Sequence, residues 1–518
     1  MPWRRPPTCP HNVYRGTPRW LRRKPARVLG VALGASSSAV CCAPSMPELS
    51  VGVPSEKAAL EQVLSLARGN TPLGTVGELQ QKHLLALNLR RLPGADAFVP
   101  RAYYLPGKTE RLSACDEESA FLADFMLSQA AAIVRHSVRF GARLGGAATA
   151  AALARAACRR FLQDKRSARI SSEDWAVLAA YDLTQEVTGE SSTSGTSEEA
   201  ALEREDTAEL LKLLREQAPE LQLELLQQNI WILKPSTGAL GRGIAFIDRI
   251  DSSGNWKATV PSRERRADDG LGYVVQKYAE RPHLIDPSWL PATTIAEGTL
   301  TAGESAASPG DPGSLHKYNI RCWVEVLWSA ASPEAWFYKD GYIEFANSPY
   351  TEDLSAPTAH ISNLSVLPGQ ASERTDQQPP WMWSTQKYQL HLLEQFDNDV
   401  SGKRLTADMM SITAKALASI HPAEPTVQPA NEGKVRWKRF GVDFLLDEDL
   451  QLWLLEFNYN PGMASARGRR GDMKRELVVR FCQDEQRLRE WRTVVRHAGD
   501  GTVAGNQPDG VLSPSDGG

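Results

Sequence analysis

The chain has 518 residues, of which 42% are hydrophobic and 23% charged, and carries a formal net charge of −3. This is the composition of a water-soluble globular protein with roughly two to four domains, or of one multi-lobed enzyme. It excludes the global positive field of a nucleic-acid binder, and no apolar run reaches the ~18 residues of a membrane span.

Residues 1–47 hold many arginines and no Asp or Glu, so 1–50 reads as a disordered basic arm. The weakly apolar stretch Val28–Ala43, behind an Arg-rich segment, also fits a transit peptide. Seven cysteines (Cys9, Cys41, Cys42, Cys115, Cys158, Cys322 and Cys482) are scattered without a C-x-x-C pair, which predicts free thiols in a reducing compartment.

Leu60–Leu66 and Glu78–Leu89 have helical spacing. Asp116–Phe140 repeats apolar residues at Phe121, Leu122, Phe125, Met126, Ala130, Ile133 and Val134 with a polar back face, which predicts an amphipathic helix. The Ala-rich Ala147–Leu162 predicts another. Thr188–Ser197 is rich in Ser, Thr and Gly, and Glu198–Asp206 adds five carboxylates in nine residues. Together, 188–206 reads as a flexible insert, with helix returning at Glu209–Gln217.

From Asn229 the texture turns to short β-type runs: Ile230–Leu233, Ile244–Ile247, Tyr273–Tyr278, Ile320–Leu327, Trp336–Tyr338, Val442–Leu446 and Leu452–Phe457. Thr293–Gly313 and Pro368–Pro380 between them are loop-like in Gly, Ser and Pro, and 498–518 reads as a disordered tail.

Four stretches carry candidate chemistry. In Trp231–Ile244 one strand delivers Lys234, a glycine-bearing loop with Gly241, Arg242 and Gly243 follows, and a second strand leaves at Ile244. Glycines let backbone amides approach phosphate oxygens, and a lysine adds a point charge. No Gly-Lys-Ser/Thr precedes a helix, so this is not a Walker loop. A glycine loop between strands points to an ATP-grasp arrangement, although the same residues fit a β-hairpin with a surface lysine. In Val274–Pro282, a strand with Gln276, Lys277 and Tyr278 offers backbone groups to an adenine edge, or is an ordinary edge strand.

In His316–Trp323, the residues Lys317, Asn319 and Arg321 stand two apart, so a strand places two cations and an amide on one face. Tyr318, Ile320 and Cys322 then face the core. Cations clustered on a strand are costly unless they meet anions, for which phosphates are suited; a solvated strand face is the plainer reading. Phe440–Pro461 reads as strand, turn, strand, with Asp443 in the first strand and Glu456 and Asn458 on one face of the second. Two carboxylates and an amide oxygen make an all-oxygen set suited to Mg2+. A hairpin with solvated acids explains Asp447–Asp449 and explains Glu456 poorly, since apolar residues flank it.

In order and rough spacing, WILKP, GRGI, VVQKYAERPHLI, HKYNIRCWVEV, WFYKDGYIEF, HISN, MWSTQKYQLHL and FGVDFLLDEDLQLWLLEFNYNP resemble the tubulin–tyrosine ligase-like family. Upstream, LNLRRL, FVPRAYYL and ESAFLADF resemble its glycylase branch. The resemblance implies an α+β (α/β) fold: a helix-rich N-terminal region over 75–225 and an ATP-grasp-like catalytic core over 226–495. It implies ATP with Mg2+, phosphorylation of a glutamate γ-carboxylate, and attack by an amino acid, glycine in this branch.

By the same resemblance Lys234 contacts phosphates with the loop Gly241–Ile244, and Gln276, Lys277 and Tyr278 frame adenine. Lys317, Arg321 and Asn319 steady nucleotide and acyl phosphate, His360 and Asn363 line the pocket, and Asp443, Glu456 and Asn458 hold Mg2+. The implied partner is tubulin or microtubules through acidic C-terminal tails, met by basic segments such as Lys434–Arg439 and Arg467–Arg475. The implied setting is a monomer in the cytoplasm, on the cytoskeleton or in the axoneme of a cilium or flagellum.

The sequence departs from the family pattern in four places. Asn319 stands where Asp is usual, Glu344 where Arg is usual, and Leu240 where a basic residue is common. Tyr459-Asn460 replaces small residues. A glutamate ligase of the same family and a catalytically silent microtubule binder therefore remain open beside the glycine ligase.

Overall fold

The computed structural model describes residues 79, 81–107, 114–140, 146–165, 169–184, 198–236, 241–251, 254–256, 272–289, 293–296, 299–302, 314–328, 333–362, 382–396, 402–419, 436–458 and 477. The basic arm, Leu60–Leu66, Leu240, Asn363, Pro368–Pro380, Lys434, Tyr459, Arg467–Arg475 and the C-terminal tail lie outside the described residues. The fold mixes helix with two principal antiparallel sheets, an α+β architecture.

The first half is helical. Helix α1 (Lys82–Arg90) precedes strand β1 (Ala102–Leu105). Helix α2 (Ala114–Phe140) buries Phe121, Phe125, Ala130, Ile133 and Val134, as its periodicity predicts. Helix α3 (Gly146–Gln163) follows, then α4 (Ser172–Ala179), whose N-cap Ser171 Oγ accepts from the Asp174 amide at 3.1 Å.

Helix α5 spans Glu198–Gln217 and thus corrects the flexible reading of 198–206. Its acidic first half has partners on α3: Arg155 pairs with Glu203 and Arg159 with Asp206. Leu210, Leu211 and Leu214 bury the second half.

These helices cover one face of a four-stranded sheet with order β1-β4-β2-β3, in which β2 is Trp231–Pro235, β3 Ala245–Ile247 and β4 Tyr273–Lys277. Trp231 and Leu233 of β2 pack into the helical core with Phe121, Phe125 and Val275. Alternation along β2 therefore turns Ile232 and Lys234 to the opposite side.

Strand β5 (Leu284–Ile285) pairs with the start of β8. The segment expected to be a loop at Thr293–Gly313 contains a hairpin, β6 (Thr293–Ala296) with β7 (Thr299–Ala302).

The second sheet has the order β10-β9-β8-β11-β12. Its strands are β8 (His316–Trp328), β9 (Pro333–Phe345), β10 (Met382–Ser384), β11 (Arg436–Leu446) and β12 (Leu452–Asn458). A short helical turn, α6 (Pro357–His360), follows β9, and α7 (Thr385–Gln395) and α8 (Gly402–Ala418) follow β10.

One face of this sheet is core: Tyr318, Ile320, Cys322, Phe440, Val442 and Phe444 pack with Tyr388, Leu392, Leu405 and Met409 of α7 and α8. Strand β9 is much longer than the expected Trp336–Tyr338, because it pairs with β8 on both sides of a register shift between Arg321 and Trp323. Gly341 sits at this irregularity. A Cβ there would collide with the Arg321 carbonyl oxygen, so only glycine lets β9 approach β8 so closely.

Candidate active site

Lys317, Asn319 and Arg321 of β8 lie on the sheet face opposite the core and border one cavity, as the alternation predicts. The cavity, about 150 Å³, lies between the two sheets: Lys234, Gln276 and Tyr278 come from the first, and Asp443, Glu456 and Asn458 from the second.

Its floor is a row across four strands. Tyr342 of β9 faces Arg321 of β8, Arg321 faces Asp443 of β11, and Asp443 faces Glu456 of β12. Arg321 makes a two-point contact with Asp443: Nη2 donates to Oδ2 at 2.6 Å, and Nε pairs with Oδ1. Asn458 Nδ2 donates to Asp443 Oδ2 at 2.9 Å and to Glu456 Oε1 at 3.1 Å. Burial pushes the Asp443 carboxyl up against the pull of Arg321. Burial also pushes Glu456 up, yet Lys82, Lys234 and Arg321 together hold it below the usual carboxylate range.

Lys317 and Lys234 form the opposing cationic side. Burial, with Lys234 nearby, pushes the Lys317 ammonium well below the usual lysine range, and its Nζ sits 3.9 Å from the centre of the Tyr278 ring. Burial lowers Lys234 as well, partly offset by Glu456. Lys234 Nζ donates to Gln276 Oε1 at 2.7 Å. An anion between these lysines would return their affinity for protons.

Gly241 and Gly243 both adopt positive φ, at 70° and 72°, and flank exposed Arg242 where the loop rejoins β3. Gly241, Arg242 and Ile244 border the cavity. Lys277 runs along it too, but its ammonium is turned away: it donates to the carbonyls of Ile230 at 2.7 Å and Tyr278 at 3.2 Å, and pairs with buried Glu280. Glu280 already holds that charge.

His360 is fixed by Tyr278 OH on Nδ1 at 3.0 Å and by the Asp353 carbonyl on Nε2 at 2.9 Å, and burial lowers its pKa to about 4. It is therefore a neutral wall of the cavity, beside Phe246 and Tyr350. The Asn319 side-chain oxygen accepts from Ser362 Oγ.

Among the described residues no group of three or more His, Cys, Asp and Glu side chains converges as a metal cage. The donor set still fits Mg2+: two carboxylates in register and an amide bridging them supply three hard ligands, and a half-turn of the Asn458 amide presents its oxygen. Mg2+ usually takes few protein oxygens and completes its shell with phosphates and water.

Sequence reasoning missed Lys82, whose Nζ reaches Glu456 Oε2 at 3.9 Å from α1, and Tyr342, whose hydroxyl meets Arg321 Nη1 at 3.5 Å. No local pattern marks either one; both are set by long-range pairing. A second cavity of about 400 Å³, between α1, α2 and β1, adjoins the first at Lys82, Lys234, Gln276 and Glu456. No helix among the described residues is long and apolar enough to cross a membrane.

The chain is 27% identical to a tubulin monoglycylase of Mus musculus, over 75% of this chain and 41% of that protein. It is 28% identical to the Homo sapiens tubulin monoglycylase, over 73% of this chain and 48% of that protein. A probable tubulin polyglutamylase of Caenorhabditis elegans is 25% identical over 46% of this chain and 47% of its own length. The chain thus spans less than half the length of each of these relatives. The model of the tubulin-tyrosine ligase family matches residues 158–485, from α3 past the end of β12. By this match, which takes in every strand of the cavity floor, the chain belongs to the tubulin-tyrosine ligase family.

Proposed function

We propose that this chain is an ATP-dependent ligase that joins glycine to the γ-carboxylate of a tubulin glutamate through an acyl phosphate, on an ATP-grasp-like core. The observation that carries this reading is the floor row Arg321–Asp443–Glu456 with Asn458, facing Lys234 and Lys317 across the cleft between the sheets.

Each residue has a role that its position allows. The positive-φ glycines Gly241 and Gly243 bring backbone amides close to phosphate oxygens. Lys234 and Lys317 supply the charge that a transferring phosphoryl group needs in a dry site. Asp443, Glu456 and Asn458 would hold Mg2+, which when bound neutralises phosphate charge. Arg321, anchored on Asp443, keeps its guanidinium edge beside the reacting oxygens. Gln276 and the Tyr278 ring border the space for the base, while His360 fixes the Tyr278 hydroxyl. Asn319 orients toward the same space from β8.

The relatives named as tubulin monoglycylases, with the glycylase-like LNLRRL and FVPRAYYL segments, favour glycine and tubulin. The relative named as a probable polyglutamylase supports the glutamate alternative. Action on tubulin tails would place the protein on the cytoskeleton or in an axoneme.

The test is mass spectrometry of brain tubulin after incubation with the purified chain, Mg2+-ATP and equal glycine, glutamate and tyrosine. Glycine on tail glutamates is the expected product. Glutamate or tyrosine addition would overturn the donor assignment, and no addition with ATP still bound would overturn the ligase reading in favour of a silent binder.

A further inference from the structure

One cation at the cavity floor comes from outside both sheets. Lys82 is the first residue of α1, and α1 packs against β12. Its Nζ stands 3.9 Å from Glu456 Oε2. Of the cations that act on the Glu456 carboxylate, Lys82 acts most strongly, ahead of Lys234 and Arg321. Those two have other attachments as well: Arg321 to Asp443, and Lys234 to Gln276.

The position of Lys82 is unfavourable for its own helix. The positive end of a helix dipole repels a cation in the first turn. The first turn of α1 holds no acid, and Gln81 provides no side-chain cap. Glu456 is the anion that offsets this. The pair is a loose one, with 21% of the Lys82 side chain and 23% of the Glu456 side chain exposed, so a competing ion can reach it. Lys82 also borders both the cavity between the sheets and the second cavity of about 400 Å³. Rotation of its side chain can carry the ammonium from one to the other while α1 stays in place.

Ligation of a divalent cation by Glu456 would set like charges against each other at short range, which costs free energy. Lys82 must then leave Glu456 before the ion is held. Triphosphate changes the balance. Its oxygens supply further ligands for the metal and a new anion for the displaced lysine.

We infer that Lys82 is a resident counter-ion of Glu456 that a divalent cation must displace, so that metal binding is coupled to nucleotide binding. The inference rests on the metal role read above for Asp443, Glu456 and Asn458, and adds a positioning residue to it. Without nucleotide, Lys82 competes for Glu456 and holds the metal off. With nucleotide, the phosphates take over that competition and the metal binds.

The experiment titrates Mn2+ into the full chain, followed by electron paramagnetic resonance, with and without a non-hydrolysable ATP analogue. Wild type, Lys82→Met, Lys82→Gln and Lys82→Arg are compared, each checked for an unaltered melting temperature. Met and Gln keep an unbranched side chain of good helix propensity and remove the charge. Both should tighten Mn2+ binding without the analogue by about three- to fivefold, the strength of a partly exposed ion pair, and change it by less than about twofold with the analogue. Lys82→Arg keeps the charge and should behave as wild type. A lysine that only supports the fold would not make metal bind more tightly when it is neutralised.

Mn2+ affinity that is unchanged or weaker in Lys82→Met and Lys82→Gln without the analogue would overturn the inference. If wild type binds Mn2+ together with the analogue in that case, the metal site stands and only the role of Lys82 falls. If wild type binds no Mn2+ in either condition, both fall.

Discussion

Arg321 and Asp443 face each other in register on β8 and β11 and join through one guanidinium edge, Nε and Nη2, and both carboxylate oxygens. The pair is buried, so removing one partner strands the other. Arg321→Ala should cost about 3–5 kcal/mol of stability, as for other broken buried pairs. The double change with Asp443→Ala should cost clearly less than the sum of the singles. Urea unfolding of the four proteins checks this, and strict additivity would mean the two residues do not depend on each other.

Lys277 should behave as a structural residue. Its ammonium satisfies the Ile230 carbonyl and pairs with Glu280, which also accepts from the Ile230 amide at 2.7 Å. Lys277→Met should therefore destabilise by about 3–5 kcal/mol, because Glu280 is left buried and charged. Its effect on the KM for ATP should be small beside that of Lys234→Ala. Denaturation together with ATP titration of both variants separates the two roles.

Gly341→Ala tests the close approach of β9 to β8. The added methyl must displace the Arg321 backbone, so overpacking of about 1–3 kcal/mol is expected, with a larger fall in ATP turnover than in stability because Arg321 is misplaced. Thermal melting and ADP release measure the two effects. A variant with normal turnover would show that the floor tolerates a shift at Arg321.

Acid should weaken the fold through its buried histidines. Burial lowers His283 and His360 to about 4 and His391 to about 3, from an ordinary 6.5. Below that ordinary value the unfolded chain binds protons that the folded chain refuses. Stability is therefore full above about pH 7 and falls as pH drops toward 4, by at most about 1.4 kcal/mol per pH unit for each histidine. Asp447, pushed up to about 6 by burial, acts in the opposite sense between its folded and unfolded values. His316 is lowered by burial as well, and Asp96, Asp408 and Asp443 are raised. The histidines act from about pH 6.5 downward and the carboxyls only below their raised values, so a decline is expected first. Denaturant titrations at pH 7, 6 and 5 would reveal it; a flat profile would contradict it.

Much of the site is legible in the sequence because it is local. Lys317, Asn319 and Arg321 share a face through strand alternation alone, and the Asp443 and Glu456 strands meet because a turn at Asp447–Leu450 joins them. Helix α2 is legible for the same reason, through its 3.6-residue apolar repeat. What escapes is set by distant partners. Helix α5 runs from Glu198, and its acids Glu203 and Asp206 meet arginines on α3, a long-range pairing that nothing within 188–206 shows. Lys82 joins Glu456 across most of the chain, and Tyr342 reaches Arg321 only because Gly341 lets β9 come close. The pairing of Lys277 with Glu280, three residues on, is not marked in the sequence, because Glu280 looks like a surface acid until both are buried.

The central claim is that the Arg321–Asp443–Glu456 row is the floor of a metal–nucleotide site. Its most direct test is Mn2+ binding, followed by electron paramagnetic resonance, with a non-hydrolysable ATP analogue present. Wild type should bind Mn2+ tightly together with the analogue, and Asp443→Asn and Glu456→Gln should each weaken that binding by tenfold or more, in the range for altered metal ligands. Undiminished Mn2+ and analogue binding in both variants would contradict the account.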